Sequence, residues 1–416
     1  MRQVWLPYGR EARIAVLPKE TLLGVVEPKA PPTRPLAEAF DEAWAHPIGI
    51  EAPGSDFRPG ERVVFVITDH TRPATSRELL PLVLHRLSGR VRREDVTLLI
   101  GTGTHRSPTP AEIEALLGDL ANEFEVVVHD CDRDLVEVGT SARGTPILLN
   151  RHVVEAAHVV NLGHIGMHYF AGYSGGRKAI LPGVAGRETI ERNHALMLDP
   201  ACEACRYEGN PLSEEMSEAA ALAGVDFIVD TVGDGAGGVV RVVVGDVEAA
   251  HAAGRAAWNA FFQVPVAQRA DLVVVSPGGH PKDIDLYQAY KGLYNAMRVV
   301  RDGGVVLWVA ACPDGIGQPV FADWMQRAAR PADVLRIFEE EGFVLGGHKA
   351  VFLVRDLERA HIALCSKLDD GLVRRFFLEP LADPTRILPI ARERLGEDFR
   401  ALVLPRGTDT FPIVTG

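Results

Sequence analysis

The chain is poor in cysteine. Five are spread over 416 residues, at positions 131, 202, 205, 312 and 365. An odd and scattered set excludes a dense disulfide framework and fits a reducing cytoplasm, the expected compartment. Cys202 and Cys205 form the only close pair, and without a second CxxC they make at most half a zinc site or a redox pair. Long hydrophobic runs are missing too. No stretch of about 18 apolar residues occurs, so no membrane span is expected. The opening residues MRQVWLPYGRE lack a basic start followed by an apolar core, so no secretory signal is expected. Positive charge is not in excess. Lys and Arg number 44 against 56 Asp and Glu, and the net charge of −12 argues against broad nucleic-acid binding. Repeats and low-complexity segments are absent. What remains is an ordinary globular composition, 47% hydrophobic and 24% charged. Its length suits about two or three domains.

Apolar runs set the rhythm of the chain. Residues 12–17 (ARIAVL) read as a first strand, and the Pro-rich stretch 28–35 as irregular. A helix is expected over 36–45. The run 60–68 (GERVVFVIT) reads as a buried strand, and Ser76 as the cap of a helix reaching Leu87. Strands at 96–100 and 124–128 flank a helix at 110–117. This βαβ alternation predicts an α/β fold with mostly parallel sheets. Further strands are expected near 226–230 and 239–244, then an Ala-rich helix from Val247 to about Phe261. Residues 263–270 (QVPVAQRA) read as a linker. A second βα series follows, with strands at 271–276, 303–310, 350–354 and 361–365 and helices at 331–341 and 384–395. Two domains are therefore expected, 1–262 and 270–416, with an active-site cleft between them.

One stretch carries unusual chemistry. Residues 161–194 read NLGHIGMHYFAGYSGGRKAILPGVAGRETIERNH, with three histidines, seven glycines and Lys178 behind Arg177. The apolar end Val159–Leu162 reads as the close of a buried strand that breaks into a Gly-rich loop. Histidines and a lysine crowded on loops at a strand end are raw material for an active site. Two familiar motifs fail here. A phosphate-binding P-loop counted from Gly172 puts Arg177 where glycine is required, and Ala179 follows Lys178. His164 and His168 are four apart, but Ile165 stands where a zincin has glutamate. Glycines still let backbone N–H groups approach an anion, and Lys178 there could hold a phosphate or act as a nucleophile.

Other candidates fall at equivalent topological positions. Asp69 and Arg72 (DHTRP, 69–73), His105 (GTGTHR, 101–106) and His164 all follow strand ends, where ligands sit in parallel sheets. Singly, each has an ordinary reading: a helix cap, a surface ion pair, a loop residue. Together they point to one site. In the second half, DLYQAYKG (285–292) opens a helix. Gln288 and Lys291 are three apart on one face, beside Tyr287, a pairing that suits a carboxylate.

The set DHTRP, GTGTHR, HYFAGYSGGRKAILPG (168–183), NH (193–194) and DLYQAYKG, in that order, resembles the nickel-dependent lactate racemase family. The pattern HxxAGxSGGxKxxxPG, with a histidine sixteen residues after its lysine, is its specific part. The resemblance implies an isomerase, a racemase or epimerase of a small 2-hydroxy acid. It also implies a nickel-pincer nucleotide, the nickel complex of a pyridinium-3,5-bisthiocarboxylic acid mononucleotide, supplied by other, cofactor-biosynthesis proteins. By the same resemblance Lys178 carries the cofactor covalently and His194 completes the nickel coordination. His105 and His168 are the acid and base. Arg72, Gln288 and Lys291, with Tyr287, surround the substrate. Asp69 and Arg72 lie near the cofactor, as do Ser174, Gly175 and Gly176 in the glycine turn.

Chemistry explains the residue types. A 2-hydroxy acid resists loss of its Cα hydrogen as a proton, so an electrophilic ring that takes it as hydride avoids a carbanion. The hydroxyl proton must leave with it, and imidazole suits that near pH 7. The family's tryptophan in the C-terminal half has no counterpart here. FVLGGHK (343–349) stands in its place, which leaves other 2-hydroxy acids open and His348 without an assigned role. Two alternatives follow from the residues alone. A nicotinamide-dependent dehydrogenase needs GxGxxG, which GTGTHR breaks at Arg106. A non-enzymatic nucleotide-binding protein would have lost His105, His168, Lys178 or His194, and all four are present.

Overall fold

A computed structural model describes residues 1–71, 75–234 and 237–416. The chain falls into two units, one of residues 31–260 and the other of residues 1–30 together with 261–416.

The unit of residues 31–260 is built on a six-stranded sheet. Its order is Val239–Gly245, Phe227–Gly233, His158–His164, Val63–Thr68, Val96–Gly101, Glu125–Val128. Only the edge pair of Phe227–Gly233 with Val239–Gly245 is antiparallel. The central strands VVFVIT and VTLLIG are almost continuously apolar because both faces are covered, as parallel strands require. One face packs against the helices Leu36–Ala45 and Ser76–Arg86, through Phe40, Leu79, Leu80 and Val83 on Phe65 and Leu98. The helix Pro110–Leu117 starts on a capping box: Thr109 accepts from the backbone of Glu112, whose side chain reaches back to the Thr109 N–H. From Val63–Thr68 the chain winds outward on one side to 96–101 and 125–128, and on the other to 158–164 and 227–233. The winding reverses between Val63–Thr68 and His158–His164. Such a switch point opens a crevice at the carboxyl ends of the strands.

The other unit is also built on a six-stranded sheet, all parallel: Glu379–Pro380, Ala360–Cys365, Val300–Val309, Ala270–Val275, Ala401–Leu404, Leu22–Val25. Leu272, Val274, Leu307 and Val403 form part of its core with Leu6 and Leu17 of an N-terminal hairpin. The helix Leu286–Met297 follows the strand Ala270–Val275, and Asp285 caps it by accepting from the Gln288 N–H at 2.6 Å.

Several sequence expectations need correction. Residues 12–17 are the second arm of a hairpin, Arg2–Tyr8 with Glu11–Leu17. The expected linker contains a strand, Gln263–Val266, because residues near the far end of the chain, Phe411–Val414, pair with it. Ala350–Val354 is not a strand but the middle of the helix Gly347–Arg359; a short apolar run looks alike in a buried strand and a buried helix. Ser76 is the first helical residue, and Thr75 holds the cap position without a side-chain bond. A hairpin of Leu135–Thr140 with Pro146–Asn150 was not anticipated. Residues 1–30 differ from the sequence division, since Leu22–Val25 pairs with Ala401–Leu404 and so belongs with the C-terminal unit. Among the described residues, no helix is long and apolar enough to cross a membrane.

Candidate active site

A cavity lies at the carboxyl ends of the strands in the 31–260 unit. Thr68 and Asp69 enter it from one strand end, Gly101 to Gly103 and His105 from the next, and Gly163 and His164 from a third. Ser174, Gly175, Gly176 and Lys178 close it, with Pro182 and Gly183 behind them. The walls meet so closely that side chains do not fit. A Cβ on Gly183 would stand 2.1 Å from the Ala179 carbonyl oxygen. The Gly183 carbonyl in turn receives the Gly103 N–H at 2.9 Å, which joins the two loops.

His105 and Asp69 form a dyad on this cavity. His105 Nδ1 lies 2.6 Å from Asp69 Oδ2. Asp69 is 3% exposed. Burial pushes its carboxyl up, but hydrogen bonds from His105 and from the hydroxyl and N–H of Thr71 outweigh that and hold it below the usual range. The expectation that Asp69 lies near the cofactor gains a more definite neighbour in this imidazole.

The turn that carries Lys178 is anchored from three sides by residues the sequence did not single out. Lys178 stands in a one-turn 3-10 helix, Gly176–Ala179. Asp230, fully buried in the middle of the strand Phe227–Gly233, accepts the Gly176 N–H at 2.7 Å. Burial raises its carboxyl to about 7. Gly175 has a φ of +78°, and a Cβ there would stand 2.7 Å from the same carboxylate. His251 Nε2 donates to the Ser174 carbonyl at 3.0 Å. Arg177, 1% exposed, donates to the Ala171 carbonyl at 3.0 Å and the Ser213 hydroxyl at 2.6 Å, with its guanidinium 4.4 Å from the Tyr207 ring centre. The Ser174 hydroxyl donates to the His164 carbonyl and accepts the Gly166 N–H, both at 2.9 Å. A lysine amine is thus presented to a glycine-walled cavity from an immobilised backbone, a setting that fits covalent tethering of a flat, phosphate-bearing group.

His168 and His194 flank one ring. His168 lies in a short hairpin, Met167–His168 with Gly172–Tyr173, and meets the edge of Phe170 at 4.6 Å between ring centres. His194 stands in the helix Arg187–Ala195, 5.4 Å from the same ring. Its neighbour Asn193 fixes that helix by donating to the Leu212 carbonyl and to Glu215. His194 is 6% exposed, and its imidazole is a competent ligand for nickel.

In the other unit, Tyr287, Gln288 and Lys291 stand on the first turns of the helix Leu286–Met297, near an N-terminus that favours anions. Burial, then Asp285, pushes the Tyr287 hydroxyl up to about 12. Lys349 holds Tyr287 from behind. Its Nζ donates to the Tyr287 carbonyl at 2.6 Å and lies 3.6 Å from the ring centre. Burial, then the charge of Lys291, pulls the Lys349 amine far down. His348 is pulled to about 3, first by burial and then by Lys349, and its ring stacks on Phe343 at 6.0 Å. The FVLGGHK segment therefore backs the Tyr287 side of this helix.

Six of the residues singled out by sequence, Asp69, His105, Ser174, Gly175, Gly176 and Lys178, line one cavity. His164 lines it as well, without an assigned role. Arg72 lies outside the described residues. Cys202 donates to Asn210, and burial raises its thiol to about 11, which describes a packed residue.

Comparison with known proteins converges on one family. Residues 8–204 match the lactate racemase N-terminal domain and residues 266–411 the lactate racemase C-terminal domain. A lactate racemase of Thermoanaerobacterium thermosaccharolyticum is 32% identical over 98% of both chains. That of Lactiplantibacillus plantarum is 29% identical over 92% of this chain and 97% of the relative. The lactate racemase apoprotein structure from T. thermosaccharolyticum superposes with a TM-score of 0.88, at 31% identity, covering 99% of this chain and 100% of that one. A Thermotoga maritima protein shares the fold alone, at a TM-score of 0.61 and 19% identity over 86% of this chain and 94% of its own. With both halves matched and the relatives aligned nearly end to end, the chain belongs to the lactate racemase family and is an isomerase.

Proposed function

We propose that the protein racemises or epimerises a small 2-hydroxy acid, lactate being the first to test, on a nickel-pincer nucleotide tethered to Lys178. One observation carries the reading: the His105–Asp69 dyad and the Lys178 amine line the same glycine-walled cavity. The donor set fits the group. Lys178 offers an amine for a covalent bond and His194 a neutral imidazole for nickel. Bound there, the cofactor supplies an electrophilic ring that accepts the Cα hydrogen of the substrate with its electron pair.

The chain's own residues do the rest. His105 and His168 exchange the hydroxyl proton, one on each side of the planar 2-keto intermediate. That intermediate must turn between the two transfers, so its oxygen needs a second partner within about 3 Å. Arg72, Gln288 and Lys291 hold the carboxylate, with Tyr287 beside them, and keep the intermediate from escaping. The cofactor comes from dedicated biosynthetic proteins, and a reducing cytoplasm suits the five free thiols. Neither nucleic acid nor membrane enters the reading.

The test is production together with the cofactor pathway. Intact mass should show a covalent adduct, metal analysis should show nickel, and chiral chromatography should show one lactate enantiomer becoming two. Adduct-bearing protein that racemises no member of a panel of small 2-hydroxy acids overturns the reading.

A further inference from the structure

Two histidines with paired roles are held in opposite hydrogen-bonding states. The Ala171 backbone N–H points at His168 Nδ1, 3.2 Å away. A backbone amide has only a proton to give. While that bond stands, Nδ1 of His168 must present its lone pair, so the proton of the neutral ring sits on Nε2. His105 is held the other way. Its Nδ1 faces Asp69 Oδ2 at 2.6 Å. The other oxygen of that carboxylate already takes the Thr71 N–H at 3.1 Å and the Thr71 hydroxyl at 2.6 Å. A buried, ionised carboxylate can only accept, so Nδ1 of His105 carries the proton and the lone pair sits on Nε2.

We propose that Asp69 and the Ala171 N–H are positioning groups that set unlike tautomers, making His105 the proton acceptor and His168 the proton donor of the resting enzyme. The inference rests on the acid and base roles given above and deepens them. One enantiomer presents its hydroxyl to His105 and enters turnover directly. Its proton passes to Nε2 of His105, and the Nδ1–H stays on Asp69. On the return step the oxygen, now on the other side, takes the Nε2 proton of His168, which is left as an imidazolate with its Nδ1 still accepting the Ala171 N–H. Solvent then removes one proton from His105 and returns one to His168. The opposite enantiomer meets a ring that has no lone pair to offer at Nε2. His168 must first shift its proton or break the Ala171 bond. At equilibrium the enantiomers are equal, so kcat/KM is the same for both and hides this asymmetry. It appears instead in kcat and KM separately and in the first turnover.

Tautomers are read directly by long-range proton–nitrogen correlation spectra of the full chain labelled with ¹⁵N-histidine, without cofactor, at a pH where both rings are neutral. His105→Gln and His168→Gln identify the two sets of signals. The expected result is a protonated Nδ1 in His105 and a protonated Nε2 in His168. Asp69→Asn should move His105 to the opposite tautomer, as loss of the carboxylate does in a serine-protease triad, and leave His168 unchanged. Unchanged signals from the distant His158 report that the variant is folded; if it is not, the parent spectrum alone decides. The same tautomer in both rings overturns the proposal, as does Asp69→Asn without effect on His105. The activity reading fails separately: expected tautomers in a loaded protein that racemises nothing refute the activity and not the tautomers.

Discussion

Lys178 and Lys291 are both proposed to serve the reaction, and the chain supports them by different means. Lys178 rides a glycine turn whose backbone is tied to Asp230, His251 and Arg177, all buried at 1% exposure or less. Lys291 stands on a regular helix that needs one cap, Asp285, and an aromatic face backed by Lys349. A group that must form a covalent bond at one atom needs a backbone fixed by tertiary contacts. A group that attracts a carboxylate is served by local helical periodicity and the helix N-terminus. The difference predicts where damage falls: on cofactor attachment in one unit, on substrate affinity in the other.

The largest effect should come from Lys178→Ala. Covalent attachment is abolished, and with it racemisation; an adduct of full mass on this variant refutes the assignment. His194→Ala should bind cofactor and lose nickel, as metal analysis would show. Next come His105→Ala and His168→Ala. Each should lower racemisation in both directions by about 10²- to 10⁴-fold, because every cycle needs both. The first turnover should discriminate: each variant should keep faster cofactor reduction by one enantiomer, and the favoured hand should differ between the two. Equal residual rates for both hands in both variants would refute the two-base scheme.

Smaller effects separate the two kinds of support. Lys291→Ala should raise KM roughly 10- to 100-fold, the size of a lost charge-assisted hydrogen bond, with adduct mass unchanged. Asp230→Ala strands the Gly176 N–H and should cost about 1–3 kcal/mol of stability while slowing adduct formation. Asp285→Ala removes a helix cap, should cost about 1 kcal/mol, and should leave attachment intact. If both variants impair attachment equally, the contrast between turn and helix collapses.

The smallest effect lies at the far end of the same sheet. His158 bridges Asp226 and Glu61, each at 3.1 Å. Burial pulls its imidazole down, but the two carboxylates outweigh that and the net shift is upward. A raised value means that its stabilisation is full below the unfolded value of about 6.5 and is lost as pH rises through the folded one. His158→Gln should therefore lower the melting temperature more at pH 6 than at pH 8. An equal loss at both values refutes the charged bridge.

What the sequence disclosed follows from how local each signal is. The strands at 63–68, 96–101 and 158–164 were legible because residues buried on both faces must be apolar in a row. The candidate residues were legible because glycines, histidines and lysine crowd at those strand ends. The strand Gln263–Val266 was not, since its partner lies near the far end of the chain. Asp230 and His251 were not, because each acts on a turn 54 to 77 residues away and looks ordinary in its own neighbourhood. The tautomer-setting contact of Ala171 is a backbone bond and leaves no side-chain signature at all.

The pairing of Leu22–Val25 with Ala401–Leu404 has a consequence for the order of events on the ribosome. The strand Leu22–Val25 of the C-terminal unit is synthesised early and meets its neighbour only after some 380 further residues, Leu22 standing opposite Ala401. At synthesis rates of about 5–20 residues per second, that wait is roughly 20–80 s. The unit of residues 31–260 leaves the ribosome whole during the interval, between two pieces of a partner that is still incomplete. The opening hairpin can close early through its own local register, Arg2 opposite Leu17 to Tyr8 opposite Glu11. The strand after it remains an unsatisfied edge until Ala401–Leu404 appears, which makes it the segment most in need of protection while the chain is being made.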